Sequence, residues 1–279
     1  MKNMTGTNRI QQCFANLNIA DQVALITFIT AGDPNVAISS EILKQLPHAG
    51  ADIIELGMPF SDPMADGPSI QASSLRALKN GASLNKTLKM VKDFRKEDSK
   101  TPIILMGYFN PIYKYGTEKF ITHAKQVGVD GLIIVDLPPE ESEMHKPTKK
   151  AGLSLIHLIA PTTDERRLPM IIKKASGFLY YVSVTGVTGM KSAKTKHLQP
   201  AIGQIKELTD LPIAVGFGIK TSEQARKISK FADAVVVGSA FVNAISKNLN
   251  DDGTAKKECV ESVLSLVKDI ADGLKNSTD

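Results

Sequence analysis

The stretch Ile53-Ile54-Glu55-Leu56-Gly57-Met58-Pro59-Phe60-Ser61-Asp62-Pro63-Met64-Ala65-Asp66-Gly67 decides how this chain is read. Ile53, Ile54 and Leu56 form a short apolar, β-branched run, the signature of a buried strand. Glu55 interrupts it. An ionised carboxylate among buried neighbours is costly unless it is paired or keeps its proton. Gly57, Pro59, Pro63 and Gly67 then force a loop that carries two more acids, Asp62 and Asp66. One acid therefore lies on a strand and two on the turn leaving it, where parallel α/β proteins build active sites. Glu55 has two readings here: a catalytic acid, or a structural carboxylate satisfied by a nearby amide or base.

The same pattern recurs on both sides. Apolar runs at 23–29, 52–56, 102–106, 131–135, 154–159, 178–183, 212–215 and 234–237 read as eight strands. Helical periodicity follows each one, at about 36–48, 67–79 with 84–95, 117–126, 140–150, 164–175, 195–208, 222–229 and 240–247. Strands alternating with helices mean a parallel sheet, and eight units in about 250 residues match a (β/α)₈ barrel. An open doubly wound sheet is the alternative. Residues 7–16 read as an extra N-terminal helix with Ile10, Phe14 and Leu17 on one face, placed to plug one end of a barrel. A last helix is expected at 254–274. No Pro/Ser-rich linker divides the chain, so 1–279 reads as one domain.

Composition narrows the class. The 279 residues are 42% hydrophobic, with 34 basic against 29 acidic residues, a formal charge of +5 and a pI near 9.0. The lysines are spread along helical segments, so solvated helix faces explain them better than a nucleic-acid footprint. Two distant cysteines, Cys13 and Cys259, exclude a disulfide or zinc framework. The polar N-terminus lacks a signal core, and no run is long enough to span a membrane. The expectation is a cytoplasmic protein with no membrane or nucleic-acid partner and no metal site. The five histidines are scattered, and His157, within a strand run, reads as a satisfied core histidine.

Three glycine-containing turns follow the sixth, seventh and eighth runs: Gly186 to Gly189, Gly216-Phe217-Gly218 and Gly238-Ser239. Glycine turns let backbone N–H groups approach an anion, and Gly238-Ser239 also opens a helix. Barrels often bind phosphate in their last loops. Ordinary turn glycines are the alternative. A barrel mouth with these turns on one side and Glu55, Asp62 and Asp66 on the other suits a proton-bearing group attached to a phosphate tail.

The string from Glu55 to Pro68 closely resembles the signature of the tryptophan synthase α subunit family. Supporting matches are Phe28-Ile29-Thr30-Ala31-Gly32-Asp33-Pro34, Met106-Gly107-Tyr108-Phe109-Asn110-Pro111, Asp136-Leu137-Pro138, Tyr180 through Gly189, and Gly216-Phe217-Gly218-Ile219. The resemblance runs over about residues 10–270. It implies retro-aldol cleavage of indole-3-glycerol phosphate to indole and glyceraldehyde 3-phosphate, with no cofactor in this chain. It carries the catalytic pair onto Glu55 and Asp66 and the phosphate contacts onto Gly189, Gly218, Gly238 and Ser239, with Phe217 beside them. Phe28 and Tyr108 would line the indole pocket, and Tyr180 would stand near the reacting end. Mobile loops are implied at about 59–68 and 185–195, and Val184 stands where some members carry an arginine. The resemblance also implies an αββα assembly with a pyridoxal-phosphate β subunit, docked through Asp62, Asn110 and Pro111. Two other readings compete: a different phosphate-binding barrel enzyme, and a non-catalytic activator of a β partner. The Glu55–Asp66 pair argues against both.

Overall fold

The structure, a computed structural model, describes residues 6–141, 143–182, 193–216 and 218–275. Its strands are β1 (Ala24–Thr30), β2 (Ile53–Gly57), β3 (Ile103–Gly107), β4 (Gly131–Ile134), β5 (Ser154–Leu155), β6 (His157–Ile159), β7 (Leu179–Val182), β8 (Ile213–Gly216) and β9 (Ala234–Val237). All pair in parallel, in the order β5-β4-β3-β2-β1-β9-β8-β7-β6. The two ends of that order are halves of one extended stretch. The first half, with the Ile156 N–H donating to Leu132 O at 3.0 Å, belongs to β4, and β6 pairs with β7. The sheet therefore closes on itself as a (β/α)₈ barrel. The stretch read as one strand over 154–159 is split because it changes partner at Ile156.

Twelve helices are present among the described residues: α1 (Gly6–Ile19), α2 (Val36–Gln45), α3 (Pro68–Lys79), α4 (Leu84–Phe94), α5 (Phe109–Tyr115), α6 (Thr117–Val127), α7 (His145–Ala151), α8 (Leu168–Lys174), α9 (Ala193–Lys206), α10 (Ser222–Ser229), α11 (Ser239–Lys247) and α12 (Cys259–Lys275). The glycine stops at Gly128 and Gly152 take the left-handed conformation and end α6 and α7 as expected. Several expected helices are shorter: 36–48 ends at Gln45, 140–150 begins only at His145, 164–175 is helical over Leu168–Lys174, and 254–274 starts at Cys259. Conversely, α5 forms where a plain loop was expected after β3. No described helix is long and apolar enough to cross a membrane.

Alternation along each strand builds two cores. Outward residues such as Leu25, Ile54, Leu56, Leu105 and Val235 meet the helices. Inward residues Ala24, Ile26, Ile53, Ile104, Ile133, Phe178, Ala214 and Val236 fill the barrel. Ile10 of α1 joins the inner core with no exposed surface, and Phe14 packs edge-on against Phe178 at 5.9 Å. The expected plug is thus in place at the N-terminal end of the strands.

That end is pinned by acids. Just before β2, β4 and β9, Asp52, Asp130 and Asp233 accept the Leu25, Ile103 and Ile213 N–H groups, each at 2.8 Å, from a strand beside them. Asp130, fully buried, also accepts from Arg9 of α1 and from Arg95, both at 2.7 Å. Removing that carboxylate strands two largely buried guanidinium groups. Asp130→Asn should therefore lower stability by about 3–5 kcal/mol, read as a fall in the urea unfolding midpoint.

Candidate active site

The pleat turns Glu55 into the barrel. It sits opposite Phe28 of β1 and Ile104 of β3 and is fully buried. Neither carboxylate oxygen has a hydrogen-bond partner among the described residues. The satisfied structural carboxylate that the sequence allowed is therefore not what the fold contains. Burial alone lifts Glu55 from its ordinary 4.5 to about 8, so at neutral pH it keeps its proton.

Asp66 ends the loop that begins at Gly57, two residues before α3. It is half-buried, and burial raises it from 3.8 to about 6. Tyr108, at the end of β3, works the other way. Its nearby hydroxyl favours the ionised form of Asp66. That oxygen accepts the Ala65 N–H at 2.9 Å, and the Tyr108 ring lies against Phe60 at 5.3 Å. One side chain thus grips the loop through backbone and ring. Two acids at one mouth are split by their surroundings, Glu55 protonated and Asp66 ionised near pH 7, which is the division of labour that acid–base catalysis needs.

A small cavity at this mouth is lined by Asp66 together with Phe28, Thr30, Gly57, Met58, Met106 and Tyr108, among others; Phe28, the β1 residue opposite Glu55, forms part of its wall. Tyr180 of β7 is nearly fully buried, and its hydroxyl is pushed far up, by burial first and then by the fields of Glu55 and Asp66. The strand-end glycines make room for these rings. A Cβ on Gly57 would stand 2.6 Å from Phe28 Cζ, and one on Gly216 would stand 2.6 Å from Tyr180 Oη. Larger hollows open between the helices and beside α1, but neither Glu55 nor Asp66 lines them.

On the other side of the mouth, β8 and β9 are neighbours, and the loops that leave them carry Gly218 and the Gly238-Ser239 pair. Gly218 has φ +63°, a conformation that favours glycine. Gly238 does not, with φ −129°. Its missing side chain leaves space for Phe28 instead, since a Cβ would come within 3.1 Å of Phe28 Cβ. Gly238 also caps α11, whose first turn has no side-chain cap, so the N–H groups at Ser239 open toward the same mouth. Gly189 and Phe217 lie outside the described residues, as do Val184 and most of the 185–195 loop.

The three residues that the resemblance assigns to docking lie on the loops of two neighbouring strands. Asp62 is exposed on the β2–α3 loop, while Asn110 and Pro111 open α5 on the neighbouring strand's loop. Met64 and Tyr113, in those same two segments, are 85% and 65% exposed, an unusual display of large apolar side chains. His157 does not match its reading as a satisfied core residue. It is buried facing His145, ring centroids 5.1 Å apart, and its Nε2 has no partner among the described residues. No described group of three His, Cys, Asp or Glu side chains is arranged to hold a metal ion.

Sequence reasoning missed the polar contacts beneath the Asp66 loop: Thr30 with Ser73, Asp33 with Arg76, and Gln71 with the Asp66 carbonyl. The only signal was a run of serines where α3 should have shown apolar residues.

The chain as a whole is similar to known proteins. A sequence model of the family described as tryptophan synthase alpha chain matches residues 14–274. A crystal structure of tryptophan synthase subunit alpha from Legionella pneumophila is 39% identical, with a TM-score of 0.88 over 96% of this chain and 98% of that one. A protein of known structure from Aquifex aeolicus is 38% identical, with a TM-score of 0.84 over 95% and 98%. A chain of Mycobacterium tuberculosis tryptophan synthase is 31% identical, with a TM-score of 0.85 over 96% and 98%.

The buried carboxyl also leaves a mark on stability. Glu55 holds its proton more tightly folded than unfolded, so its contribution is fully present below pH 4.5 and is lost as pH rises through about 8. Glu55→Gln should therefore gain stability relative to the parent across that window, seen as melting curves that separate as pH is raised from 4.5 to 8.5.

Proposed function

The chain belongs to the tryptophan synthase alpha chain family, and from that premise we propose how its own residues carry out the cleavage of indole-3-glycerol phosphate. The activity is that of a carbon–carbon lyase in tryptophan biosynthesis, and the chain works as the alpha subunit of an α2β2 complex. It needs no cofactor of its own, since pyridoxal phosphate belongs to the β subunit. One observation carries the mechanism: Glu55 is fully buried with no hydrogen-bond partner among the described residues, which favours its protonated form, while Asp66, on the loop leaving the same strand, is only half-buried.

The bond to be broken joins indole C3 to the glycerol phosphate side chain. Its electrons need a sink, and neutral indole is a poor one. Glu55 delivers its proton to C3, which converts the ring to a cation with its charge on the ring nitrogen. Asp66 accepts the ring N–H and stabilises that charge as it develops. The Glu55 carboxylate then takes the proton from the side-chain hydroxyl next to C3. The oxygen lone pair becomes the aldehyde carbonyl, and the C–C electrons return to the ring. Indole and glyceraldehyde 3-phosphate leave, and Glu55 is protonated again. Acid–base help of this kind is worth roughly 10²–10⁴-fold.

Substrate is held at its two ends. The indole enters between Phe28 and Tyr108, with Tyr180 next to the reacting carbon. The phosphate rests on the N–H groups of Gly218, Gly238 and Ser239 at the start of α11, with Gly189 and Phe217 assigned by the family resemblance. The rim formed by Asp62, Asn110 and Pro111 docks the β subunit, and exposed Met64 and Tyr113 give that face its apolar area. The chain is one barrel domain working in the cytoplasm.

Two variants separate the ends of the site. Glu55→Gln should abolish indole release, a loss of at least ~10²-fold, while glycerol 3-phosphate still binds within about two-fold. Substantial turnover would defeat the proton-transfer assignment. Gly218→Val puts a branched side chain at φ +63° beside the phosphate, and should raise KM by about ten-fold or more with kcat less affected. An unchanged KM in steady-state assays would remove Gly218 from the phosphate site.

A further inference from the structure

Helix α3 carries Asp66 just ahead of its N-terminus, yet it is poorly anchored by apolar contact. Its buried residues are Ser73, Ser74 and Ala77, and Leu75 is 58% exposed. Its polar anchors lie on one helical face at i, i+3 and i+7. Ser73 Oγ meets Thr30 Oγ1 at 2.6 Å. Arg76 donates from Nε and Nη2 to the two oxygens of Asp33, each at 2.8 Å. Asn80 Nδ2 donates to Pro34 O at 2.7 Å. All three partners belong to the end of β1 and the turn after it, and Asp33 is fully buried.

The Arg76–Asp33 fork is the directional part of this set. A bidentate guanidinium–carboxylate pair fixes rotation and distance together, which a single hydrogen bond does not. The other end of α3 then sets the acid. The Ile70 and Gln71 N–H groups bond to Gly67 O at 3.0 Å, and Gln71 Nε2 donates to the Asp66 carbonyl at 2.9 Å. Helix register is thereby transmitted to Asp66 through its own first turn.

We infer that Arg76 and Asp33 are a positioning pair, which locks the register of α3 on β1 and so aims the Asp66 carboxylate at the substrate's ring nitrogen. Neither touches the reacting atoms. This rests on the assignment of Asp66 as the ring N–H acceptor.

Two probes distinguish aiming from plain stability. Indole-3-propanol phosphate has the ring N–H and a phosphate, whereas glycerol 3-phosphate has only the phosphate end. Arg76→Lys keeps the charge and loses the fork. It should weaken the indole probe about ten-fold, since small misplacements at a site are costly, and leave glycerol 3-phosphate within about two-fold in calorimetric titrations. Asp33→Asn, which keeps shape and loses charge, should show the same asymmetry, so the test does not depend on one variant folding. With Asp66→Ala already present, Arg76→Lys should cost the indole probe less than two-fold, because the group it aims is gone. Equal weakening of both probes, or additive losses in the double variant, would overturn the positioning role. If Asp66→Ala alone leaves the indole probe unchanged, the assignment of Asp66 itself fails and the pair's role falls with it. If Asp66→Ala weakens the probe and neither Arg76→Lys nor Asp33→Asn does, only the positioning inference fails.

Discussion

A parallel strand has to be covered on both faces, and in this chain every consequence of function follows from how that is met. Helices cover the outer face of the ring. The inner face is covered by the strands' own side chains and by α1, whose Ile10 closes the lower end. Apolar side chains fill the middle of the ring, so any polar group placed there must find a partner or stay neutral. Glu55 finds none and stays neutral. A proton donor competent at neutral pH is thus produced by topology, with no specialised neighbour. The same pleat that turns Ile53 inward as core turns Glu55 inward as chemistry.

Topology also explains why the two ends of a small substrate can be read by residues more than 150 apart in sequence. All strands run the same way, so every loop that follows a strand opens on one mouth. Closure brings β9 and β8 round beside β1 and β2. The glycine turns after the last two strands therefore share that mouth with Glu55 and with the acids of the loop after β2. Phe28 couples the two sides physically, since its ring needs the missing side chains of both Gly57 and Gly238. At Gly238, where an anion turn is the obvious reading, close packing by a neighbour's aromatic ring is an equal demand on the same residue.

Much of this was legible in the chain itself. The barrel followed from eight apolar runs with helical spacing between them, because burial on both faces writes itself as unbroken hydrophobic runs. Glu55 stood out as a charge inside such a run. The α1 plug was visible as one apolar face. Part of what escaped has one physical cause: hydrogen bonds from a side chain to a distant residue have no period. The acids that enter β2, β4 and β9 recur as Ala51-Asp52, Val129-Asp130 and Ala232-Asp233, yet each reads locally as a turn residue. The helical turn at Phe109–Tyr115 hid behind Asn110-Pro111, a pair that suggests a loop. The split at Ile156 depends on which strand is the neighbour, a fact that no local window contains.

The weak apolar face of α3 was the most informative mismatch between pattern and fold. A helix specified by burial alone tolerates small slides, because methyl and methylene contacts are non-directional. A helix whose first turn fixes the direction of a preceding acid tolerates them less. Replacing leucines by serines and an arginine on the buried face exchanges affinity for direction: each hydrogen bond contributes only about 0.5–1.5 kcal/mol net, but each has an angle. The apolar deficit in α3 and the alignment of Asp66 are then two sides of one solution, and the neighbouring α4, with no acid to aim, shows the contrast. Its helical span buries Leu88, Met90, Val91 and Phe94, and its charged anchor, Arg95, stands only at the C-cap.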